Sequence, residues 1–238
     1  MRLEHYLNEG IQDKGIFKAI FMAGHPGAGK TYVLNKVKSG SIEPRWVNTD
    51  KLFLDIFPEF KQNWEHNWGK INVKVKTISK NQLALYLNSL LPLAIDGTSN
   101  SVSVILRRKG LLESFGYDTG MLFVSTSLET ALERAATRER PVPPEFIKDA
   151  YEQINKAKAF YKQTFHHWIE IPNDKFELTD EVIQKAFKSS AGFYNAPIGN
   201  PVGKKYYDKM MENGWKYLSP NIRDLEEIKK VVSVWYKR

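Results

Sequence analysis

The sequence contains no cysteine and no long apolar run, and both absences narrow the classes of protein to which it can belong. Without cysteine the chain forms no disulfide and no thiolate metal site, which fits a reducing compartment. No apolar stretch approaches the roughly 20 residues that cross a bilayer, and the opening residues, MRLEHYLNEG, lack the apolar core of a secretory signal. We therefore expect a soluble, cytoplasmic protein without a membrane partner.

Length and charge are the next constraints. The 238 residues, 42% of them hydrophobic, suffice for one α/β domain or for one domain with a small appendage. The formal net charge is +8, from 35 Lys and Arg against 27 Asp and Glu. Clustered cations attract phosphate chains, so this excess favours a polyanionic partner such as DNA or RNA. An ordinary basic surface gives the same total, and the charge by itself leaves both interpretations open.

Short apolar runs alternate with helical patterns along the chain. Runs with the length and composition of strands lie at 16–23, 45–48, 93–96, 121–125 and 168–171. Helical patterns lie between and after them at 30–38, 50–57, 81–91, 102–115, 127–140, 146–161 and 180–188. This alternation predicts the α/β class, with a parallel sheet sandwiched by helices.

Three further features of the pattern lead to specific expectations. Residues 60–80 show no clean period. Thr126, followed by Glu129, has the spacing of a capping box and predicts the start of a helix. A segment rich in Gly, Asn and Pro at 191–201 predicts a boundary. We therefore divide the chain into a main domain, 1–190, and a basic, aromatic-rich helical appendage, 191–238.

The segment GHPGAGKT satisfies the pattern G-x-x-x-x-G-K-[ST] between a predicted strand and a predicted helix. Glycines in such a turn let backbone N–H groups wrap phosphates, and the helix N-terminus adds its dipole. In that geometry Lys30 reaches the β- and γ-phosphates, and the Thr31 hydroxyl binds Mg²⁺. The glycine spacing differs from that of dinucleotide-binding turns, so we predict ATP or GTP as the ligand. The predicted nucleotide-binding residues of this loop are Gly24, His25, Pro26, Gly27, Ala28, Gly29, Lys30 and Thr31.

Two carboxylates follow predicted strands and are candidates for chemistry at the phosphate. Asp50 ends the segment WVNTD, and Asp96 ends LLPLAID. The C-terminal ends of parallel strands face the nucleotide, so Asp50 is placed to accept a proton from an attacking hydroxyl. Asp96 is placed to hold the Mg²⁺ shell. Both carboxylates have a competing structural interpretation, as the cap of the helix or turn that follows.

Arginines cluster beside the proline-broken stretch RERPVPP. Arg134 and Arg138 are one helical turn apart, and Arg140 follows. Phosphoryl transfer spreads negative charge over the γ-phosphate oxygens, which the planar donor fork of arginine matches well. We interpret the segment as a lid that closes over ATP, with Arg134 and Arg138 in catalysis and Arg140 in nucleotide binding. The alternative is a solvated helix face on which the arginines pair with neighbouring glutamates.

Together these motifs resemble the P-loop kinases of the polynucleotide kinase and zeta-toxin group. The resemblance covers residues 16–175 and runs through GHPGAGKT, VNTD, IDGTSN and ERAATRERPVPPEFI. It is closest to bacteriophage-type 5′-hydroxyl polynucleotide kinases, and it implies that Asp50 is the general base and that Arg138 contacts the transferred phosphate. Thr98 and Asn100 fall where that group has an acceptor-site element, although an intervening glycine gives D-G-T-S-N here.

The resemblance implies an ATP- and Mg²⁺-dependent kinase, but it leaves the acceptor open. We prefer nucleic acid, either a 5′-hydroxyl end or the hydroxymethyl group of a base, as in phage DNA modification. Lysines mixed with aromatic residues after position 197 fit such a partner, and helices docked on the core would look similar. Trp64, Trp68 and Tyr86 either stack an exposed base or pack in the core. A small-molecule kinase of the zeta-toxin kind and an ATP-binding switch without transfer are the alternatives, and the oligomeric state is not predicted.

Overall fold

The computed structural model describes residues 15–37, 42–56, 64–96, 101–137, 143–174, 180–212 and 225–236. Within these residues the strands are β1 (Lys18–Gly24), β2 (Arg45–Val47), β3 (Leu93–Asp96), β4 (Asp118–Ser125) and β5 (His167–Pro172). They form one sheet in the order β2-β3-β1-β4-β5, and every pairing is parallel. The predicted α/β class is confirmed, and β1, which leads into the glycine-rich turn, lies at the centre of the sheet.

Helices cover both faces of this sheet. Their bounds are α1 (Lys30–Val37), α2 (Thr49–Ile56), α3 (Trp64–Asn88), α4 (Val102–Ser114), α5 (Leu128–Ala136), α6 (Pro144–Thr164), α7 (Asp180–Asn195), α8 (Pro201–Glu212) and α9 (Leu225–Val232), with a closing 3₁₀ turn at Ser233–Tyr236. Side chains of α1 and α7 enter the buried cluster on one face. Those of α3, α4, α6, α8 and α9 enter the cluster on the other.

The sequence of β1 shows why both faces must be covered. All seven of its residues are buried. Ala19 and Phe21 join the cluster that contains α3 and α6, whereas Ile20 and Met22 join the cluster that contains α1 and α7. A strand with apolar side chains on both faces is stable only between two layers of helices. Because β1 is the central strand, the turn after it lies in the middle of the edge that the C-terminal ends of the strands form.

Helix α3 begins in the region for which no period was predicted. It extends from Trp64 to Asn88, so it begins 17 residues before the helix predicted at 81–91 and ends three residues earlier. Its buried stripe runs through Val75, Ser79, Leu83 and Leu87. One member of the stripe is a serine, so the apolar repeat is interrupted on the buried face itself. Packing of this stripe against the core accounts for the helix from Val75 onward, six residues before the predicted start.

The start of α5 differs from the predicted capping box. Ser127 is the N-cap, and its hydroxyl accepts a hydrogen bond from the N–H of Thr130 at 3.2 Å. The hydroxyl of Thr126 instead donates to the backbone carbonyl of Asn173 at 3.1 Å. The predicted cap was wrong by one residue because Thr126 bonds to the end of β5, a partner that local sequence spacing cannot reveal.

The last helices share the main core. Met210 of α8, Ile228 and Val232 of α9, and Trp235 all belong to the buried cluster that contains the side chains of α3 and α4. The proposed boundary between residues 190 and 191 falls inside α7. The division into two domains stays a prediction, and the described part of the appendage is packed tightly on the rest of the chain.

Two glycines let α8 approach the core closely. A methyl group on Gly203 would lie 2.1 Å from the carbonyl oxygen of Gly116. We expect Gly203→Ala to lower the free energy of unfolding by about 2 kcal/mol, because α8 must shift to relieve the overlap. Gly192→Ala is the matched control, since Gly192 lies in α7 with no atom within 4 Å of the added methyl group. It should raise stability by about 0.5–1 kcal/mol through helix propensity. Chemical denaturation of both variants checks the prediction, and equal effects would contradict it.

Candidate nucleotide-binding site

The glycine-rich loop is held between two neighbouring elements. Gly27 and Gly29 have φ angles of +86° and +79°, which favour glycine. A methyl group on Gly27 would lie 2.4 Å from the carbonyl oxygen of Ala131 in α5. One on Gly29 would lie 2.5 Å from Nδ2 of Asn173, at the end of β5. The loop therefore follows a path that side chains at these positions would block.

Lys30 begins α1 and turns back onto the loop. Its Nζ donates to the carbonyl oxygens of Gly24 at 2.8 Å and His25 at 3.1 Å. Thr31 follows in the first turn of α1 and is exposed. The ammonium group, the helix N-terminus and the loop N–H groups are thus concentrated at one edge of the sheet, which is the arrangement that binds a phosphate chain.

Asp96 ends β3, the strand beside β1, and is level with Met22 in the sheet register. Its Oδ2 accepts a hydrogen bond from Nδ2 of Asn48 at 2.6 Å. Oδ1 of Asn48 in turn accepts from the N–H of Lys51 at 2.8 Å, so Asn48 caps α2. The capping role that competed with catalysis at Asp50 is therefore filled by Asn48. Asp50 lies in the first turn of α2, and its side chain is outside the described part of the structure.

The oxygen donors at this edge suit magnesium. A threonine hydroxyl and a carboxylate are the hard ligands that Mg²⁺ prefers, and the ion usually binds through one or two protein groups, waters and phosphates. Among the described residues no group of three or more His, Asp or Glu forms a cage of its own. Thr31 and Asp96 fit an ion that arrives with the nucleotide, and their role as its ligands stays a prediction.

Arg134 lies beside the loop, in the last turn of α5. Its Nη1 donates to the backbone carbonyl of Asn173 at 2.7 Å and lies 3.9 Å from the position of a methyl group on Gly29. The arginine is half-buried and is directed toward the loop, whereas the alternative placed it on a solvated face. Arg138, Arg140, Thr98 and Asn100 lie outside the described residues.

Sequence patterns did not identify the residues around His25. The His25 side chain is buried, and its Nε2 lies 3.3 Å from Oδ1 of Asn155. The ring stacks on Tyr151 with centroids 4.1 Å apart, and it meets Phe123 edge to face. Tyr151 and Asn155 lie one turn apart on α6, so this helix covers the second residue of the loop. No short motif marks this contact.

Burial lowers the pKa of His25 to about 4, assisted by the positive charges of Lys30 and Lys158 and opposed by the hydrogen bond with Asn155. Between pH 6.5 and 4 the unfolded chain therefore binds a proton that the folded chain does not. We expect the free energy of unfolding to fall by about 2 kcal/mol from pH 7 to pH 5 through this residue. His25→Phe should lose that part of the pH dependence, because phenylalanine does not titrate.

Chemical denaturation of the wild type and His25→Phe at both pH values measures this difference. His166→Phe is the control, since His166 is exposed, and it should keep the wild-type pH dependence. His167, whose pKa burial also lowers, is present in all three proteins and cancels. Identical pH dependence in wild type and His25→Phe would contradict the assignment.

The described aromatic side chains of the predicted nucleic-acid surface are buried in the core or packed against it. Trp235 is buried, and the guanidinium of Arg108 lies 4.9 Å from its ring centroid. Tyr86, Tyr206 and Tyr207 pack against the same cluster. The side chains of Trp64 and Trp68 lie outside the described part of the structure. The basic residues Lys204, Lys205 and Lys209 on α8 are exposed. In the described residues after position 197, the aromatic side chains therefore pack in or on the core, and the lysines of α8 lie on the surface.

No helix among the described residues is long and apolar enough to span a membrane.

The family model described as Zeta toxin matches residues 9–184 of this chain, which is more than half of its length. No curated protein sequence matches the chain.

Three solved structures are similar to this chain over most of its length. A protein from Chloroflexus aurantiacus, described as a candidate kinase, is 14% identical with a TM-score of 0.51, over 72% of this chain and 97% of that one. Deoxyadenosine kinase from M. mycoides with bound dATP is 12% identical with a TM-score of 0.47, over 73% and 98%. The PezAT toxin-antitoxin structure from Streptococcus pneumoniae is 16% identical with a TM-score of 0.46, over 89% and 91%. At these identities the likeness concerns the fold alone.

Proposed function

Because this chain belongs to the zeta toxin family of P-loop kinases, we propose that it transfers the γ-phosphate of Mg·ATP to a hydroxyl group. The loop that carries Lys30, at the centre of the sheet edge, is the observation on which this proposal depends. Lys30 neutralises the phosphates, and Asp50 removes the proton of the acceptor. Thr31 and Asp96 would hold the Mg²⁺ ion, which would neutralise charge on the phosphates. Arg134 and Arg138 stabilise the charge that develops on the transferred group, and Arg140 binds the nucleotide.

For the acceptor we propose a hydroxyl on nucleic acid, at a 5′ end or on a hydroxymethyl base. The net charge of +8 and the exposed lysines of α8 support a polyanionic substrate. Membership of the zeta toxin family supports a second candidate, a small-molecule acceptor such as a nucleotide sugar. The two candidates share the chemistry at the γ-phosphate and differ only in what the acceptor side of the site holds.

Transfer from γ-labelled ATP into three separate pools tests the proposal. The pools contain DNA with 5′-hydroxyl ends and hydroxymethyl bases, RNA with 5′-hydroxyl ends, and nucleosides with nucleotide sugars. We expect label in a nucleic-acid pool. Label confined to the small molecules would replace the first acceptor by the second, and ATP binding without label in any pool would indicate a switch. Lys30→Met is the control for contaminating kinases, because it removes the ammonium group that contacts the phosphates.

A further inference from the structure

Asn173 is a buried polar residue that joins the end of β5 to the nucleotide loop. Its side chain is 3% exposed, and Nδ2 donates to the carbonyl oxygen of Ala28 at 2.7 Å. Its own N–H donates to the carbonyl oxygen of Ser125, at the end of β4, at 2.8 Å. A buried amide is held firmly when its hydrogen bonds are made, because breaking them leaves polar groups without water. The side chain is therefore a fixed donor beneath the loop.

This donor sets the orientation of one peptide group in the loop. The carbonyl of Ala28 and the N–H of Gly29 belong to the same planar unit, and in a trans peptide they point in opposite directions. Because Asn173 holds the carbonyl toward the core, the N–H of Gly29 points away from the core. An outward N–H in this turn is one of the donors that bind a phosphate. A methyl group on Gly29 would lie 2.5 Å from Nδ2 of Asn173, so the Asn173 amide packs directly against this peptide.

The backbone carbonyl of the same residue holds the arginine beside the loop. It accepts from Nη1 of Arg134 at 2.7 Å and from the hydroxyl of Thr126 at 3.1 Å. The next residue, Asp174, accepts from the Thr126 hydroxyl and from the N–H of Ser127, at the start of α5. The end of β5 is thus bonded to both ends of α5 and to the loop. A displacement of Asn173 would move the loop peptide and the guanidinium of Arg134 together.

We propose that Asn173 is a positioning residue for the nucleotide, which aims the Gly29 N–H at the phosphates and fixes Arg134 beside them. This inference rests on the proposed function, since it concerns the same nucleotide. Asn173 acts through Gly29 and Arg134 and is not itself a catalytic residue. Asn173 should therefore affect both the binding of Mg·ATP and the transfer step, and this effect should not depend on the acceptor.

Two substitutions and a matched control test the inference by binding. Asn173→Asp keeps the volume but turns an acceptor oxygen toward the Ala28 carbonyl, and Asn173→Ala removes the donor. Each should weaken Mg·ATP binding in calorimetry by about 10- to 100-fold, the loss expected for one hydrogen bond to a charged group. Asn195→Ala is the control, because Nδ2 of this exposed residue also donates to a backbone carbonyl at 2.7 Å, within α7. Its affinity should equal that of the wild type.

A second readout separates positioning from a loss of folding. The shift in Tm caused by Mg·ATP is measured for each variant against its own nucleotide-free Tm, and it should shrink in both Asn173 variants. In a double-mutant cycle on kcat/KM, Asn173→Asp and Arg134→Gln should be less than additive, since Arg134 is bonded to the backbone carbonyl of the same residue whose side chain supports the loop. Wild-type affinity in both Asn173 variants, or strict additivity in the cycle, would overturn the inference alone. A wild-type chain that binds no ATP would overturn the proposed function as well.

Discussion

Replacing Asp50 by asparagine should lower phosphoryl transfer by about 10²- to 10⁴-fold and leave Mg·ATP binding unchanged, because the amide cannot accept the proton of the attacking hydroxyl. Asp50 lies in the first turn of α2, directly after β2. Strands β2, β3 and β1 are parallel, so the residues after β2 and the nucleotide loop lie at the same edge of the sheet. Asn48 already caps the helix, and the substitution should therefore have little effect on folding.

The same helix offers a matched control for this prediction. Asp55 is exposed and pairs with Lys51 one turn away, so Asp55→Asn changes the charge of α2 by the same amount. Transfer by Asp55→Asn should equal that of the wild type. Single-turnover transfer of label from ATP, together with calorimetry of ATP binding, measures both variants. Undiminished transfer by Asp50→Asn would reject Asp50 as the base, and a loss of ATP binding would give it a different role.

The second large effect, on stability, is expected at the N-terminal ends of the strands, away from the nucleotide loop. Lys18 is buried at the start of β1, and its Nζ lies 2.6 Å from Oδ2 of Asp118 at the start of β4. The ammonium also donates to the carbonyl of Pro197, and Oδ2 accepts from the N–H of Gly199. Asp118→Ala should lower the free energy of unfolding by about 3–5 kcal/mol, because it leaves a buried charge without its counterion. It also removes the hydrogen bond that Gly199 donates, which helps to hold the segment between α7 and α8.

An exposed ion pair provides the comparison for Asp118→Ala. The Lys51–Asp55 pair is 54% and 56% exposed, and its removal by Asp55→Ala should change stability by less than about 1 kcal/mol. Replacing both buried partners, as Lys18→Met with Asp118→Ala, should recover part of the loss. Urea denaturation of the wild type, the two single variants and the double variant measures these differences. Equal destabilisation by Asp118→Ala and Asp55→Ala would show that burial does not strengthen the Lys18 pair.

The interactions of Lys30 indicate what a nucleotide must change in the site. Its ammonium group donates to two carbonyl oxygens of the loop itself. A triphosphate offers full negative charge in place of these neutral acceptors, so the ammonium group gains an attraction between opposite charges that the carbonyl oxygens do not provide. Exchange of these partners therefore favours the bound state, whereas the contacts of Asn173 beneath the loop are compatible with both states.

Several features of the site could be predicted from the sequence because their determinants are local. The glycine turn and Lys30 lie within eight consecutive residues, and Asp96 directly ends an apolar run. Parallel topology then brings the ends of the strands to one edge without further information. The C-terminal lysines and aromatics were less informative, since the sequence does not distinguish a tyrosine that faces a ligand from one that packs on the core.

What the sequence by itself determined is the class of sheet, the phosphate-binding loop and the order of charged groups that follow its strands. Only the tertiary structure decided how the loop is supported: the hydrogen bond from Asn173 to Ala28 joins residues 145 positions apart, and the contact of His25 with Asn155 joins residues 130 apart. Such contacts produce no periodic pattern in the sequence, because each joins a single buried amide or imidazole to one distant partner. Their geometry arises only when the packed sheet brings the ends of β1, β4 and β5 together.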